Sequence, residues 1–360
     1  MKKGLTGVFL GVFLVVSFSI VFLGTENAAA LETSSDGKIV IRLSHANNIN
    51  FIRHKSALKW KEALERESKG KIEVKIYPAS QIYKSNEELN ALLMGNLDMA
   101  AFGGGGQMST LVPEWELFNL VFFWPNDGKN FQSAWRFKNS EIVKKLLISK
   151  VEQKGLKFLG FVTGAGGPSS ISTTKRPIRV VSDFKGLKIN TLGGWQRREA
   201  AKSLGFSMVT VPKSEVGQAL ALGTIDGEWS TVADCLTSGY PVKYMHWWPS
   251  FSNDTGSSFV MSMKTWNSLP ENIRKVIDTT VTPETQKYTN EQVIVDEAAA
   301  VEELKKRGVA FIEPSPGTIE GITSRLSYIP GMYAEKFGEE GKALIETAQK
   351  MIAQDKQSKQ

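Results

Sequence analysis

The stretch GFSMVTVPKSEVGQALALGTIDGEW, residues 205–229, decides the fold class. It predicts a strand that ends at Val211-Pro212, a helix that starts after Ser214, and a second strand that follows the turn at 223–227. A strand, a helix and a strand in this order form a parallel α/β unit with a right-handed crossover. Ligands of such units bind in the crevice at the carboxyl ends of the strands. An α/β protein with a ligand crevice is therefore expected.

The preceding segment, KRPIRVVSDFKGLKINT at 175–191, predicts a helical turn from Ser182 and a short strand at 187–191. Together the two segments resemble the second domain of the DctP-type extracytoplasmic solute-binding proteins of TRAP (tripartite ATP-independent periplasmic) transporters. The resemblance covers about residues 38–330 and is strongest at 175–227. It implies a two-domain, periplasmic-binding-protein-like α/β fold with a ligand cleft and a long helix that spans both domains.

The N-terminus has the pattern of a secretory signal peptide. Lys2 and Lys3 precede an apolar run at 5–23, and three alanines at 28–30 follow it. A basic start, an apolar middle and a small-residue site predict cleavage after Ala30 and a periplasmic location. The alternative is a retained membrane anchor, because the apolar run could just span a bilayer. The polar stretch at 32–38 favours cleavage.

Composition excludes several classes of function. The formal net charge is +7, but the basic residues alternate with acidic ones, which does not suggest a nucleic-acid partner. The single cysteine, Cys235, cannot form an intramolecular disulfide or a cysteine-based metal site. Four glycines at 103–106 are not followed by the Lys-Ser or Lys-Thr of a phosphate loop, so a flexible turn is the preferred interpretation.

Periodicity indicates how the domains are arranged. Strands at 38–43, 71–79 and 97–101 alternate with helices at 57–68 and 86–94, which predicts a parallel sheet. Residues 155–162 are expected to begin a second sheet, and 257–263 to return the chain to the first domain. A helix at 283–307 is expected to be the spine, the long helix that spans both domains. Another helix is predicted at 338–353. The predicted limits are 31–161 with 256–308 for domain I, 162–255 with about 309–330 for domain II, and 331–360 for a C-terminal helical segment.

Candidate ligand-binding residues follow from the expected strand ends and helix starts. In domain I they are His45, Asn47, Asn48 and the loop at 102–107, which starts at Phe102. Trp124 follows an apolar stretch predicted as a strand, and it could line the pocket or belong to the aromatic core. In domain II the candidates are Ser170, Ser172, Asn190, Thr191, Glu228, Trp229, Trp247, Trp248, Asn253 and Asp254.

Asn190 is the chief departure from the family pattern. In most DctP-type proteins the corresponding strand reads Lys-Ile-Arg, and the resemblance implies that this arginine clamps the ligand carboxylate. An amide is not a fixed counter-charge, so the preferred prediction is a ligand that is not a standard arginine-clamped carboxylate. Otherwise another cation holds the charge, and Arg53, Arg197 and Arg198 are candidates. Their ordinary interpretation is surface charge on helices.

Glu228-Trp229 resembles a pair that chelates a metal in one branch of the family. With Asp254 or Asn253, Glu228 could supply oxygen ligands to Ca²⁺ or Na⁺. The pair sits one residue early here, so a site with no cofactor is the preferred prediction. In that alternative Trp229 stacks on a planar or apolar ligand and Glu228 binds a hydroxyl or an amine.

Enzymatic function is the less favoured alternative. The sequence has three histidines and no GxSxG or HExxH motif. The helical context of Cys235 is typical of a residue that packs in the core. A secreted hydrolase using Asp226 and Glu228 would need both carboxylates on one face, although Asp-Gly usually marks a turn. The expected function is a solute receptor that delivers a small organic solute to small four-span and large twelve-span membrane subunits. A receptor for a signalling kinase is the alternative.

Overall fold

A computed structural model describes residues 31–102, 105–124, 132–162, 169–191, 193–248 and 256–357 of the chain. The strands are β1 Ile39–Ser44, β2 Ile72–Tyr77, β3 Met99–Phe102, β4 Leu156–Phe161, β5 Ser169–Thr173, β6 Lys188–Asn190, β7 Ser207–Val209, β8 Gly227–Thr231, β9 Tyr244–His246, β10 Ser258–Ser262 and β11 Ala310–Phe311. The α-helices are α1 Ile52–Glu67, α2 Glu88–Met94, α3 Gly105–Leu111, α4 Gln132–Lys138, α5 Glu141–Val143, α6 Ser149–Gln153, α7 Trp195–Leu204, α8 Val216–Leu222, α9 Val232–Thr237, α10 Met263–Ser268, α11 Glu271–Val276, α12 Thr282–Lys306, α13 Thr318–Leu326 and α14 Ile329–Gln357.

The strands form two sheets, and each sheet is the centre of one lobe. The first has the order β2-β1-β3-β10-β4, with β1 parallel to β2 and β3 and with β10 antiparallel to both neighbours. The second has the order β11-β9-β5-β8-β6-β7, with β6 parallel to β7 and β8. The predicted two-domain α/β class and its parallel strand–helix–strand unit are confirmed. The predicted domain limits remain a prediction.

Two details of the prediction are wrong. Residues 155–162 were expected to start the second sheet, but β4 pairs with β10 at the edge of the first. Its alternating pattern predicts a strand without indicating which sheet receives it. The apolar stretch before Trp124 contains a 3₁₀ turn at Pro113–Asn119 and no strand. Its rings are packed in the core instead of along a pleated edge: Trp115, Phe118 and Trp124 are all buried.

Helix α12 is the expected spine. On its first-lobe side, Thr289 Oγ1 lies 2.8 Å from Ser56 Oγ of α1. On its second-lobe side, Glu297 accepts hydrogen bonds from the backbone N–H groups of Val232 and Ala233, at 2.9 and 3.1 Å. The first N–H groups of a helix have no acceptor within the helix itself, so the Glu297 carboxylate caps α9. The spine is thus bonded to both lobes.

The C-terminal helix begins earlier than predicted. Helix α14 starts at Ile329, and Gly338, expected as its first residue, is a non-helical kink with φ of 59° inside it. Its Tyr333 hydroxyl donates to the Glu114 carbonyl oxygen at 2.6 Å, which returns the chain end to the first lobe. Among the residues with described placement, no helix combines the length and apolar character needed to cross a bilayer. The predicted signal peptide lies outside those residues.

Candidate ligand-binding site

A cavity of about 280 Å³ lies between the two lobes. This volume is near the lower limit of pockets that enclose small-molecule ligands, so it suits a small solute. The first lobe supplies Ala46, Asn47, Phe51, Arg53, Ser85, Glu88, Ala101 and Gln107. The second supplies Ser169, Asn190, Thr191, Gly193, Arg197, Thr210, Val211, Lys213, Val216, Glu228, Trp229, Ser230 and Asp234.

Asn190 lines the cavity at the end of β6, as the strand-end rule predicts. Its Nδ2 donates to Glu228 Oε2 at 2.5 Å, and its Oδ1 accepts from the Val211 N–H at 2.8 Å. One side chain therefore ties β6 to β8 and to the loop after β7. Much of its hydrogen-bonding capacity is used within the protein.

Glu228 lies beside Asn190 on β8 and is buried. Burial raises the pKa of Glu228 to about 7, although the charge of Lys213 and the Asn190 hydrogen bond act in the opposite direction. A carboxyl group in this state can accept a hydrogen bond from a ligand when ionised and donate one when protonated.

Arg197 is a buried cation, and its interpretation as a surface charge on a helix is wrong. It was expected on the helix surface, but α7 carries it into the cavity wall, where it is 3% exposed. Its guanidinium carbon lies 4.9 Å from the Trp229 ring centroid, and its Nη1 donates to Thr191 Oγ1. Burial lowers the pKa of Arg197 to about 10, opposed by the charge of Glu228, so the group stays cationic at neutral pH.

Arg53 is the second buried cation. It extends from α1 of the first lobe, is 7% exposed, and lies 5.7 Å from the Phe51 ring centroid. Burial lowers the pKa of Arg53 to about 10, and the charges of Glu88 and Asp234 oppose that change. The surface interpretation is therefore wrong for Arg53 and Arg197 and correct for Arg198, which is exposed.

Trp229 has packing partners on several sides. The Phe122 and Phe206 rings meet it edge-on, with centroids at 6.1 and 6.3 Å. The ring is 2% exposed and still contributes to the cavity lining. It thus belongs to the core, and it also supports the Arg197 guanidinium through a cation–π contact.

Lys213 and Asp234 line the second lobe and were absent from the predicted site. Lys213 forms an ion pair with Asp234, which also accepts hydrogen bonds from the Ser230 and Ser238 hydroxyls. Burial opposes the positive charge on Lys213, but Asp234, Tyr240 and Glu228 together outweigh it and raise the pKa of that ammonium. Lys213 directly follows the Val211-Pro212 strand end, so a stricter use of the strand-end rule would have found it.

Two predictions miss the cavity by one residue along a strand. Ser170 is buried and donates to the Ser230 carbonyl oxygen at 3.1 Å, whereas Ser169 lines the cavity. Phe102 is buried in the core, whereas Ala101 lines the cavity. Because successive side chains on a strand point to opposite faces, an error of one residue moves the predicted contact into the core.

Of the other first-lobe predictions, Asn47 and Gln107 line the cavity, and three more have structural roles. His45 is buried with its Nε2 3.0 Å from His54 Nδ1, and burial lowers its pKa to about 3. Asn48 accepts a hydrogen bond from the Asn50 N–H at 2.9 Å, which is a local turn contact. The Trp124 ring lies 5.2 Å from the Phe137 ring in the core. None of these three side chains is among the described residues that line the cavity.

The remaining candidates lie in the core, at the surface or outside the described residues. Trp248 is buried and donates to the Ile312 carbonyl oxygen at 2.7 Å, while Trp247 is 37% exposed. Asn253, Asp254 and residues 103–104 of the glycine loop lie outside the described residues. Among the residues that are described, no group of three or more His, Cys, Asp or Glu side chains could hold a metal ion. The Ca²⁺ or Na⁺ hypothesis stays a prediction.

The hydrolase alternative lacks its carboxylate pair. Asp226 Oδ2 accepts from the Lys188 N–H at 2.9 Å, and its carboxylate pairs with Lys175 outside the cavity that Glu228 lines. Cys235 is buried 3.6 Å from the Ser172 hydroxyl, and burial raises the pKa of its thiol. Neither group has the arrangement of a catalytic residue.

Comparison with known proteins agrees with this geometry. The family described as "Bacterial extracellular solute-binding protein, family 7" (DctP) matches residues 43–335. The C4-dicarboxylate-binding periplasmic protein DctP of Rhodobacter capsulatus is 27% identical over 86% of this chain and 91% of its own length.

Solved structures show the same fold. A TRAP periplasmic solute-binding protein of Shewanella oneidensis with bound succinate has a TM-score of 0.78 at 22% identity, covering 88% of this chain and 100% of its own. A second, from Anaerococcus prevotii with bound glucuronate, has a TM-score of 0.78 at 19% identity, covering 88% and 99%. The chain therefore belongs to the DctP family of bacterial extracellular solute-binding proteins, which are substrate-binding receptors of TRAP transporters and not enzymes.

Proposed function

We propose that this protein captures a small organic acid between its lobes and delivers it to the membrane subunits of a TRAP transporter. The observation that carries the proposal is the pair of buried guanidinium groups, Arg197 in the second lobe and Arg53 in the first, that line one cavity. Delivery would proceed after export by the signal peptide at residues 1–30, with one small and one large membrane subunit as partners.

Arg197 is the better carboxylate clamp of the two. Its guanidinium makes a cation–π contact with the Trp229 ring and donates a hydrogen bond to Thr191 Oγ1. These contacts restrain its orientation before a ligand binds. A restrained guanidinium binds a carboxylate through two parallel hydrogen bonds with little further loss of entropy. In this proposal the cationic clamp has moved from strand β6, where Asn190 stands, to helix α7.

The acidic groups of the cavity indicate what else the ligand carries. Three cationic side chains, Arg53, Arg197 and Lys213, line it together with three acidic ones, Glu88, Glu228 and Asp234. Because these formal charges balance, a bare polyanion would meet acidic groups as well as cationic ones. An acid with hydroxyl groups satisfies both, since each hydroxyl can donate to a carboxylate.

The named relatives support an organic acid. The Rhodobacter relative is named for C4-dicarboxylates, and the two structures contain succinate and glucuronate. All three are carboxylates. The competing prediction, an uncharged or zwitterionic ligand that Asn190 would favour, predicts a different preference in binding.

A thermal-shift panel tests the proposal on residues 31–360, stripped of ligand by unfolding and refolding. Succinate, D-glucuronate and D-gluconate are compared with uncharged succinamide and glucose, each with and without Ca²⁺. A ligand at a hundred times its Kd adds about 2.7 kcal/mol of stability, which raises Tm by several degrees. We expect the rise with at least one carboxylate and with no uncharged partner. A rise with uncharged solutes alone would contradict the proposal, and a calcium requirement would support a metal at Glu228.

A further inference from the structure

Glu88 is a buried acidic group in the first-lobe wall of the cavity. It is the first residue of α2, and helix starts in this fold face the crevice. The residue is 1% exposed and lines the cavity. Its Oε1 accepts a hydrogen bond from the Ser44 hydroxyl at 2.8 Å, which fixes the position of the carboxyl group.

The second oxygen of Glu88 has no hydrogen-bond partner among the described residues. A buried carboxylate oxygen normally has one, because leaving it unsatisfied costs the desolvation energy of the group. The side-chain oxygen of Asn47 in the same wall is likewise buried and without a described partner. Both residues line the cavity, so a ligand bound there could supply the donor that each oxygen lacks.

Arg53 limits what that donor can be. Its guanidinium lines the same wall, and its charge interacts with that of Glu88. A ligand ammonium would meet a like charge beside the carboxylate. A hydroxyl can donate to Glu88 and accept from a guanidinium, so it matches both neighbours.

We propose that Glu88 is a specificity-determining residue, whose Oε2 accepts a hydrogen bond from a ligand hydroxyl remote from the carboxylate. This inference rests on the proposed function, in which Arg197 holds the carboxylate on the second lobe. One ligand would then join Arg197 and Glu88 across the cleft and hold the two lobes together.

The test measures affinities by calorimetry for five monocarboxylate or dicarboxylate probes. D-gluconate and D-glucuronate carry hydroxyls, hexanoate carries none, 6-aminohexanoate carries a distal ammonium, and succinate is a short diacid. We expect a hydroxylated acid to bind at least tenfold more tightly than hexanoate. Succinate or hexanoate binding as tightly as the hydroxylated acids would overturn the Glu88 inference and leave the organic-acid receptor standing. Tightest binding of 6-aminohexanoate would overturn it too, and failure of every probe would overturn both proposals.

Two isosteric variants then locate the effect. Glu88→Gln should weaken binding of the hydroxylated acid by about 10- to 100-fold, the range for a hydrogen bond to a charged group, and leave any hexanoate binding unchanged. Glu87→Gln, the exposed neighbour with the same change of charge, should leave both unchanged. Equal affinities for wild type and Glu88→Gln, with unchanged Tm, would show that Glu88 does not contact the ligand. If Glu88→Gln fails to fold, Glu88→Asp, which keeps the charge and shortens the reach, should show the same selective loss.

Discussion

The two walls of the cleft differ in how completely their polar groups are paired. On the second-lobe wall, Asn190 bonds Glu228, Lys213 pairs with Asp234, and Arg197 is held by Thr191 and Trp229. On the first-lobe wall, Glu88 and Asn47 each keep a buried oxygen without a described partner. A wall that is already bonded is preorganised and can orient a ligand at low entropic cost. On our proposal the ligand supplies hydrogen-bond donors to the first-lobe wall, and these contacts favour closure of the two lobes.

The largest expected effect concerns the ring beneath the second-lobe clamp. Trp229→Ala should lower the free energy of unfolding by about 3–5 kcal/mol, because it removes a buried ring that packs against Phe122 and Phe206. Affinity should fall as well, since Arg197 loses its support. Chemical denaturation and calorimetry measure the two effects. Trp247→Ala, at a partly exposed ring, should change stability by less than about 1 kcal/mol. Equal losses of stability in the two variants would show that Trp229 does not contribute to the core.

The next effect is on affinity and tests the clamp itself. Arg197→Gln should weaken binding of the carboxylate selected by the panel by about 2–5 kcal/mol, because one partner of a buried charge pair is lost. Arg198→Gln removes the same charge from the adjacent, exposed position and should have little effect. If both variants bind like wild type, the cation that holds the ligand is not on α7.

The third effect is a pH dependence that arises from Glu228. Its pKa is raised from 4.5 to about 7 in the folded protein, so its contribution to stability is present at low pH and is lost as pH rises through 7. Against Glu228→Gln, the wild type should therefore gain roughly 2–3 kcal/mol between pH 8 and pH 4.5, at about 1.4 kcal/mol for each pKa unit. The comparison cancels the contributions of Glu88 and the buried histidines. A difference that stays flat with pH would show that Glu228 titrates normally.

The smallest effect tests the pairing within the second-lobe wall. Asn190→Ala leaves the Val211 N–H and Glu228 Oε2 without their partner and should cost about 1–3 kcal/mol of stability. We expect a smaller change in carboxylate affinity than for Arg197→Gln. A large loss of affinity with unchanged Tm would instead make Asn190 a direct ligand contact.

The sequence predicted the second-lobe wall better than the first, and the reason is physical. Asn190 is the last residue of β6, and Glu228 lies opposite it on the parallel strand β8. The carboxyl end of β6 faces the crevice, so both side chains lie there. Ser170 and Phe102 were each displaced by one residue, because alternation predicts which residues share a face and not which face is turned to the ligand. Glu88 lies at a helix start, where the same rule applies, but no residue of this helix start was selected for the predicted site.

The buried arginines mark the limit of prediction from sequence. Arg197 and Arg198 are adjacent on one helix, and no local pattern distinguishes the one that faces Trp229 from the one that faces solvent. That choice depends on how α7 packs within the second lobe, which is a tertiary property. The departure at Asn190 predicts a changed site, and the cation that we propose in place of the family arginine could be recognised only in three dimensions.

The decisive experiment is a crystal structure of the refolded protein with its tightest-binding carboxylate. We expect both carboxylate oxygens within hydrogen-bonding distance of the Arg197 guanidinium, with a ligand hydroxyl at Glu88. A carboxylate bound away from Arg197, or an uncharged ligand centred on Asn190, would contradict it.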